Sequence, residues 1–197
     1  MTETLPALIS FAAAMSFTPG PNNVMATASG TNFGFRRSVP MLLGIMIGFA
    51  VMFVVLGFGA AGLFVAFPAV HGVLKFAGAA YMLFLAWRIA IAGGPAAGGA
   101  GASPPGFLAA AAFQWVNPKG WVFALGALST YTTVGGDLAA EIAILTLVIA
   151  LFCLAATTTW CGFGVAIGRW LESARARTAF NLSMAVLLVA SVAAIFV

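Results

Sequence analysis

Two short segments of the chain combine proline, glycine and amide side chains in a way that exposes backbone polar groups. The first is Thr18-Pro19-Gly20-Pro21-Asn22-Asn23, and the second is Gln114-Trp115-Val116-Asn117-Pro118-Lys119-Gly120. Proline lacks an N–H group and its ring clashes with the carbonyl four residues earlier, so each segment should interrupt a helix and free backbone amides and carbonyls. Freed amides suit a carboxylate and freed carbonyls suit an ammonium group. The two segments therefore indicate a site for a zwitterion such as an amino acid.

Side chains within the two segments add polar groups of their own. The asparagine and glutamine amides supply neutral donors and acceptors, and Lys119 supplies the only full charge deep inside a predicted span. The alternatives are plain kinks, interhelical hydrogen bonds for the asparagines, and a lysine that snorkels to an interface. The predicted substrate site comprises the residues that break the helices and their polar neighbours: Pro19, Gly20, Pro21, Asn22, Asn23, Gln114, Asn117, Pro118 and Lys119.

The elements that must position these residues are membrane-spanning helices. Of the 197 residues, 63% are hydrophobic and 6% are charged, which is too little polar surface for a soluble domain and excludes most soluble enzymes. The net charge of +4 is too sparse to indicate nucleic-acid binding. A spanning helix needs about 20 apolar residues. Segments of that kind run roughly over 5–28, 39–67, 71–91, 107–131, 138–167 and 178–197.

A run of glycine, alanine and proline over 93–106 predicts a flexible linker between the third and fourth spans. It divides a single membrane domain, residues 1–197, into halves 1–92 and 107–197. Because each half has an odd number of spans, the halves enter the membrane from opposite faces, as in many secondary transporters. The predicted fold class is all-α, with six transmembrane helices as two inverted three-helix repeats whose helices 1 and 4 are broken. A five-span arrangement with one re-entrant segment is the alternative.

Basic residues are distributed unequally between the predicted loops. All the loop arginines fall after the first, third and fifth spans, so they lie on one side of the membrane. The loops on the other side contain a single basic residue, Lys75. Basic residues near helix ends are retained on the cytoplasmic face, so both termini are predicted to lie on the outer side of the membrane. The arginines concerned are Arg36, Arg37, Arg88, Arg169, Arg175 and Arg177.

Several motifs occur in order along nearly the whole chain, namely Ser16 to Asn23, Gly44-xxx-Gly48, Leu74 to Trp87 and Asn117-Pro118-Lys119. Together they resemble the lysine-exporter and homoserine/threonine-efflux (LysE/RhtB) family. Within that family, the form of the first motif and the segments Phe113 to Asn117 and Ala127 to Thr130 are most similar to the cysteine/O-acetylserine exporters.

The resemblance implies an inner-membrane secondary transporter that exports a small amino acid or derivative from the cytoplasm, driven by an ion gradient. The substrate would be cysteine or O-acetylserine, or else threonine or homoserine. One departure bears on substrate selection, because many family members have an asparagine where this chain has Gln114. The proline-broken motifs of the family carry over onto Pro19, Gly20, Pro21, Asn22, Asn117, Pro118 and Lys119.

The group that couples export to an ion gradient is left open by the sequence. A proton-coupled carrier usually has an intramembrane carboxylate, but the acidic residues, Glu3, Asp137, Glu141 and Glu172, all lie at predicted helix ends. Glu141, about one turn inside the fifth span, is the coupling candidate, and a solvated outer-face charge is its alternative. Proton uptake by the substrate or by Lys119 is a further possibility.

Functions of other classes fit the residues less well. A membrane enzyme would need a catalytic constellation, whereas the chain has one histidine and no Ser/His/Asp grouping. A divalent cation exporter is the alternative function, but it would need clustered carboxylates, histidines or thiols at mid-depth. We therefore predict neither enzymatic activity, cofactor nor metal site. Gly44-xxx-Gly48 and Gly164-xxx-Gly168 are predicted helix-packing faces, which also permit a homodimer.

Overall fold

In a computed structural model the described part of the chain is helical, without strands, and the predicted all-α class is confirmed. The structure describes residues 4–60, 68–92, 103–133, 135–171 and 173–193. A π-helical turn, Leu56–Ala60, follows the third helix. The helices are α1 (Leu5–Phe17), α2 (Pro21–Phe33), α3 (Phe35–Val55), α4 (Pro68–Ala90), α5 (Phe107–Gln114), α6 (Pro118–Tyr131), α7 (Leu138–Trp170) and α8 (Ala174–Ala193).

Each predicted span coincides with one helix or one broken pair, but several boundaries were wrong. The first segment continues to Phe33 instead of residue 28, and the next helix begins at Phe35 instead of residue 39. Arg36 and Arg37 therefore lie in the first turn of α3 rather than in a loop. The C-terminal part of α2 escaped prediction because its polar residues are buried against other helices: Thr27, Ser29, Thr31 and Asn32. Linker residues 93–102, Glu3, Glu172 and the side chain of Lys75 lie outside the described residues.

Two of the described helical segments are long and apolar enough to cross a membrane. They are Phe35–Gly59, with 25 residues, and Leu138–Trp170, with 33 residues. Leu5–Phe17 and Phe76–Ala90 are shorter apolar helices. Helix α7 also leaves large apolar side chains exposed along its outer surface, including Leu147, Leu151 and Phe163. Such a surface suits lipid better than water.

Glycines on the two long helices allow other helices to approach them closely. A Cβ atom on Gly48 would overlap the Ala111 backbone of α5, and one on Gly164 would overlap the Thr27 backbone of α2. The second contact carries a hydrogen bond, because Thr31 Oγ1 donates to the Gly164 carbonyl at 2.9 Å. The predicted packing faces are thus used within one chain, where they hold the broken helices against α3 and α7.

The two halves present their helices in the same order. Each has a broken helix, α1–α2 or α5–α6, followed by two further helices. Across the halves, α3 packs against α7 and α4 packs against α8, so helices at matching positions contact each other. The buried core between the halves includes Ile45, Phe53, Phe113 and Leu145. This arrangement brings both helix breaks to the centre of the described structure.

Candidate functional site between the two helix breaks

The two helix breaks border the same cavity. Its volume is about 40 Å³, and polar residues from both breaks share its wall with apolar residues from α1, α3, α6 and α7. The residues that line it are Met15, Ser16, Gly20, Pro21, Asn22, Asn23, Phe49, Asn117, Lys119, Gly120, Phe123, Cys153 and Thr157.

The first break is an extended stretch that leaves carbonyl groups outside any helix. Residues 18–20 are non-helical, and Pro21 begins α2 at a position that requires no N–H donor. Two carbonyls at the end of α1 accept hydrogen bonds from the Asn23 side chain, whose Nδ2 lies 2.8 Å from the Ser16 oxygen and 3.0 Å from the Thr18 oxygen. Asn23 therefore fixes the end of α1 to the start of α2.

The second break is wound more tightly. The N–H groups of Trp115, Val116 and Asn117 each donate to the carbonyl three residues earlier, at 3.1 to 3.3 Å. Pro118 then begins α6. Because this turn satisfies much of its own backbone, the second break contributes mainly side chains to the cavity.

Lys119 connects the two breaks. Its Nζ donates to the Thr18 carbonyl at 2.5 Å and lies 3.4 Å from the Pro19 carbonyl. Its side chain runs through the space beside Gly20, where a Cβ atom would lie 2.6 Å from Lys119 Cδ. The absence of a side chain at position 20 thus leaves the space that the Lys119 side chain occupies on its way to the first break.

A network of side-chain amides forms a second connection. Asn22 Nδ2 donates to Gln114 Oε1 at 2.9 Å, and Gln114 Nε2 lies 3.2 Å from Asn22 Oδ1. The same Nε2 donates to the Ala110 carbonyl at 3.0 Å. Asn117 Nδ2 lies 3.4 Å from Gln114 Oε1. Gln114 is fully buried behind the cavity wall, so it orients the amides of Asn22 and Asn117.

The cavity combines positively polarised groups with hydrogen-bond acceptors. Both α2 and α6 point their N-termini at it, and the second and third N–H groups of a helix have no intrahelical acceptor. Lys119 is the only ionised side chain among the lining residues. Ser16 Oγ and Asn117 Oδ1 are buried without a hydrogen-bond partner in the described part of the chain.

Most of the predicted site residues lie in or beside this cavity. Pro19 contributes its carbonyl to the Lys119 contact, and Pro118 begins α6. Glu141, the coupling candidate, is not among the lining residues; it is buried near the start of α7, where its carboxylate accepts from the Thr133 N–H at 3.0 Å and the Thr133 hydroxyl at 2.5 Å. The predicted residues that line the cavity are Gly20, Pro21, Asn22, Asn23, Asn117 and Lys119.

The predicted site did not include the lining residues that lie outside the two breaks. Cys153 and Thr157 lie one turn apart on α7, so their spacing places them on one face, but an apolar helix offers no sign of which face meets a cavity. Thr157 Oγ1 donates to the Cys153 carbonyl at 2.8 Å, a pattern equally typical of threonines that face lipid. In the described residues, no group of three or more His, Cys, Asp or Glu side chains is placed to hold a metal ion.

Comparisons with known proteins connect this site to a transporter family. The profile of the LysE type translocators matches residues 13–197. The chain is 41% identical over 117 residues to the cysteine/O-acetylserine efflux protein of Salmonella choleraesuis strain SC-B67, covering 59% of each chain. It is 39% identical over 132 residues to the protein of the same name from Escherichia coli K12, covering 66% of this chain and 67% of the relative. The chain thus spans about three fifths of the length of the Salmonella relative. No solved structure matches.

Proposed function

The chain belongs to the LysE type translocator family, and on this premise we propose that it exports a small amino acid across the bacterial inner membrane. Cysteine and O-acetylserine are the first candidates, because they appear in the names of relatives about 40% identical. Threonine and homoserine, which the family resemblance also implies, are the next. Export against a concentration gradient requires an energy source, which we propose is an ion gradient.

The observation that carries this proposal is that both helix breaks border one cavity, and that Lys119 is the one ionised side chain in its lining. A substrate carboxylate would bind the Lys119 ammonium and the amides at the start of α6. The Lys119 ammonium group has three N–H donors. Two of them face the Thr18 and Pro19 carbonyls of the first break, which leaves the third for the substrate carboxylate. The substrate ammonium would meet oxygen acceptors around the breaks. A zwitterion satisfies both requirements at once.

Transport requires the cavity to open, because its present volume is small. A cavity of about 40 Å³ has room for only a few waters, each of which needs roughly 10–15 Å³ on this measure. We propose that the halves rock about the site, as expected for two inverted three-span repeats with both termini outside. The packing of α3 against α7 and of α4 against α8 supports this proposal, because helices at corresponding positions of the two halves contact each other.

The experiment that tests the proposal is counterflow in proteoliposomes containing the purified chain. The panel comprises labelled cysteine, O-acetylserine, threonine, homoserine and lysine, together with manganese and zinc ions. We expect exchange of one or more small amino acids and no movement of metal ions. Metal movement without amino-acid exchange would replace this proposal with the divalent cation exporter, and a panel without any movement would contradict both.

A further inference from the structure

Two buried side-chain oxygen atoms at the cavity have no hydrogen-bond partner among the described residues. One lies in the last turn of α1, just before the first break, and the other lies in the second break. Among the described residues, the buried side-chain atoms in this condition are Ser16 Oγ, Asn117 Oδ1 and Thr146 Oγ1. Ser16 and Asn117 line the cavity, whereas Thr146 does not. A buried polar atom without a partner is costly, so a pair at one small cavity indicates that a hydrogen-bonding group of the solute belongs there. The Asn117 oxygen can only accept, and a serine hydroxyl can accept as well as donate, so a donor satisfies both.

The orientation of the Asn117 amide follows from its neighbours. Gln114 Nε2 donates to the Ala110 carbonyl at 3.0 Å, which turns Gln114 Oε1 toward the asparagines. Asn117 must then present its Nδ2 to that oxygen, since the reverse orientation would set two acceptors against each other. Its Oδ1 is consequently directed away from Gln114, and Asn117 itself lines the cavity. Asn117 is 2% exposed and its Oδ1 is buried from bulk water.

The position of Ser16 is also fixed. Its own carbonyl accepts from Asn23 Nδ2 at 2.8 Å, which holds the last turn of α1 against α2. The Thr18 and Pro19 carbonyls, by contrast, already accept from Lys119 Nζ. Among the described residues, the Ser16 hydroxyl and the Asn117 amide oxygen are thus the buried side-chain oxygens of the lining that have no partner, whereas the backbone carbonyls of the first break already accept hydrogen bonds.

We propose that Ser16 Oγ and Asn117 Oδ1 form the ammonium subsite of the cavity, so that an exported solute must carry a free amine beside its carboxylate. This inference rests on the proposed export function and defines its substrate class. Because Lys119 is the only ionised side chain in the lining, a cation without a carboxylate is repelled. An acid without an amine leaves both oxygens unpaired. A solute with only an amine or only a carboxylate should therefore bind more weakly than a zwitterion.

Three compounds of similar size separate these requirements. Cysteine has both groups, 3-mercaptopropionate lacks the amine, and cysteamine lacks the carboxylate. They are tested as competitors of labelled O-acetylserine exchange in proteoliposomes kept under reducing conditions. We expect cysteine to compete and both analogues to compete at least about tenfold more weakly, since a hydrogen bond to a charged group accounts for roughly 10- to 150-fold in binding.

Ser16→Ala and Thr146→Val provide a matched pair of variants. Each removes a buried hydroxyl without a partner and leaves the backbone unchanged, so both proteins should fold. We expect Ser16→Ala to raise the half-saturating concentration of O-acetylserine about tenfold, and Thr146→Val to leave it at the parent value.

The outcomes distinguish this inference from the proposed function. Exchange that is inhibited equally by 3-mercaptopropionate and cysteine, or a Ser16→Ala protein that behaves like Thr146→Val, would overturn the ammonium subsite and leave export intact. A parent protein that exchanges no amino acid would overturn the proposed function, and the subsite with it.

Discussion

The two helix breaks have the same covalent cause but present different groups to the cavity. The first is extended over residues 18–20, and its carbonyls are satisfied by side chains, Asn23 from its own half and Lys119 from the other. The second is wound into a tight turn and satisfies its own backbone. Proline thus fixes where each helix stops, whereas the conformation after the stop decides whether backbone or side chains face the cavity. One break without the other would give an incomplete site.

The largest effect is expected for Lys119→Met. The variant keeps most of the side-chain volume but removes the ammonium group that contacts the first break and that we propose binds the substrate carboxylate. We expect kcat/KM for export to fall about 10- to 150-fold, the range for a lost hydrogen bond to a charged group, while the protein still inserts in the membrane. Counterflow rates normalised to the amount of reconstituted protein measure this. Export at the parent rate would contradict the carboxylate role of Lys119.

A pair of glycine substitutions compares the breaks directly. In Gly20→Ala the new Cβ would lie 2.6 Å from Lys119 Cδ, whereas in Gly120→Ala it would lie 3.5 Å from Met52 Cε and Phe49 Cε2. The first displaces a flexible lysine and should reduce export about tenfold by weakening its contacts. The second meets ordinary van der Waals contacts and should reduce export much less. Equal losses in the two variants would mean that Lys119 does not depend on the space at Gly20.

A smaller effect is expected from the amide pair that joins the breaks. A double-mutant cycle with Asn22→Ala and Gln114→Ala isolates their interaction, and its coupling free energy of unfolding should be about 0.6–1.7 kcal/mol, as found for hydrogen bonds between membrane helices. Unfolding in mixed detergent provides the measurement. Strictly additive single variants would show that the pair does not hold the breaks together.

The smallest effect is expected for Glu141→Gln. The carboxylate accepts both of its hydrogen bonds from Thr133 and does not line the cavity. Export and its pH dependence should therefore match those of the parent protein. If the pH dependence disappeared in this variant, Glu141 would be the coupling residue, and the coupling site would lie apart from the helix breaks.

The sequence predicted those parts of the site that depend on covalent chemistry. Pro19, Pro21 and Pro118 mark the breaks because a missing N–H and a fixed ring act locally. The predicted end of the first span was wrong because Thr31 and Asn32 are polar. They form hydrogen bonds with residues of α7 and α8, so tertiary contacts stabilise this part of α2 in place of an apolar pattern. Cys153 and Thr157 were not predicted for the same reason: the face of α7 that meets the cavity is decided by packing.

The cavity between the breaks is tested most directly through Cys153, which lines it from α7. In a Cys161→Ala background Cys153 is the remaining cysteine of the chain, so its modification by a small methanethiosulfonate reagent can be followed by mass spectrometry. Saturating O-acetylserine should slow this modification, with half-protection at the concentration that half-saturates transport. Unchanged modification in a protein that still transports O-acetylserine would place the substrate elsewhere and contradict a site formed by the two breaks.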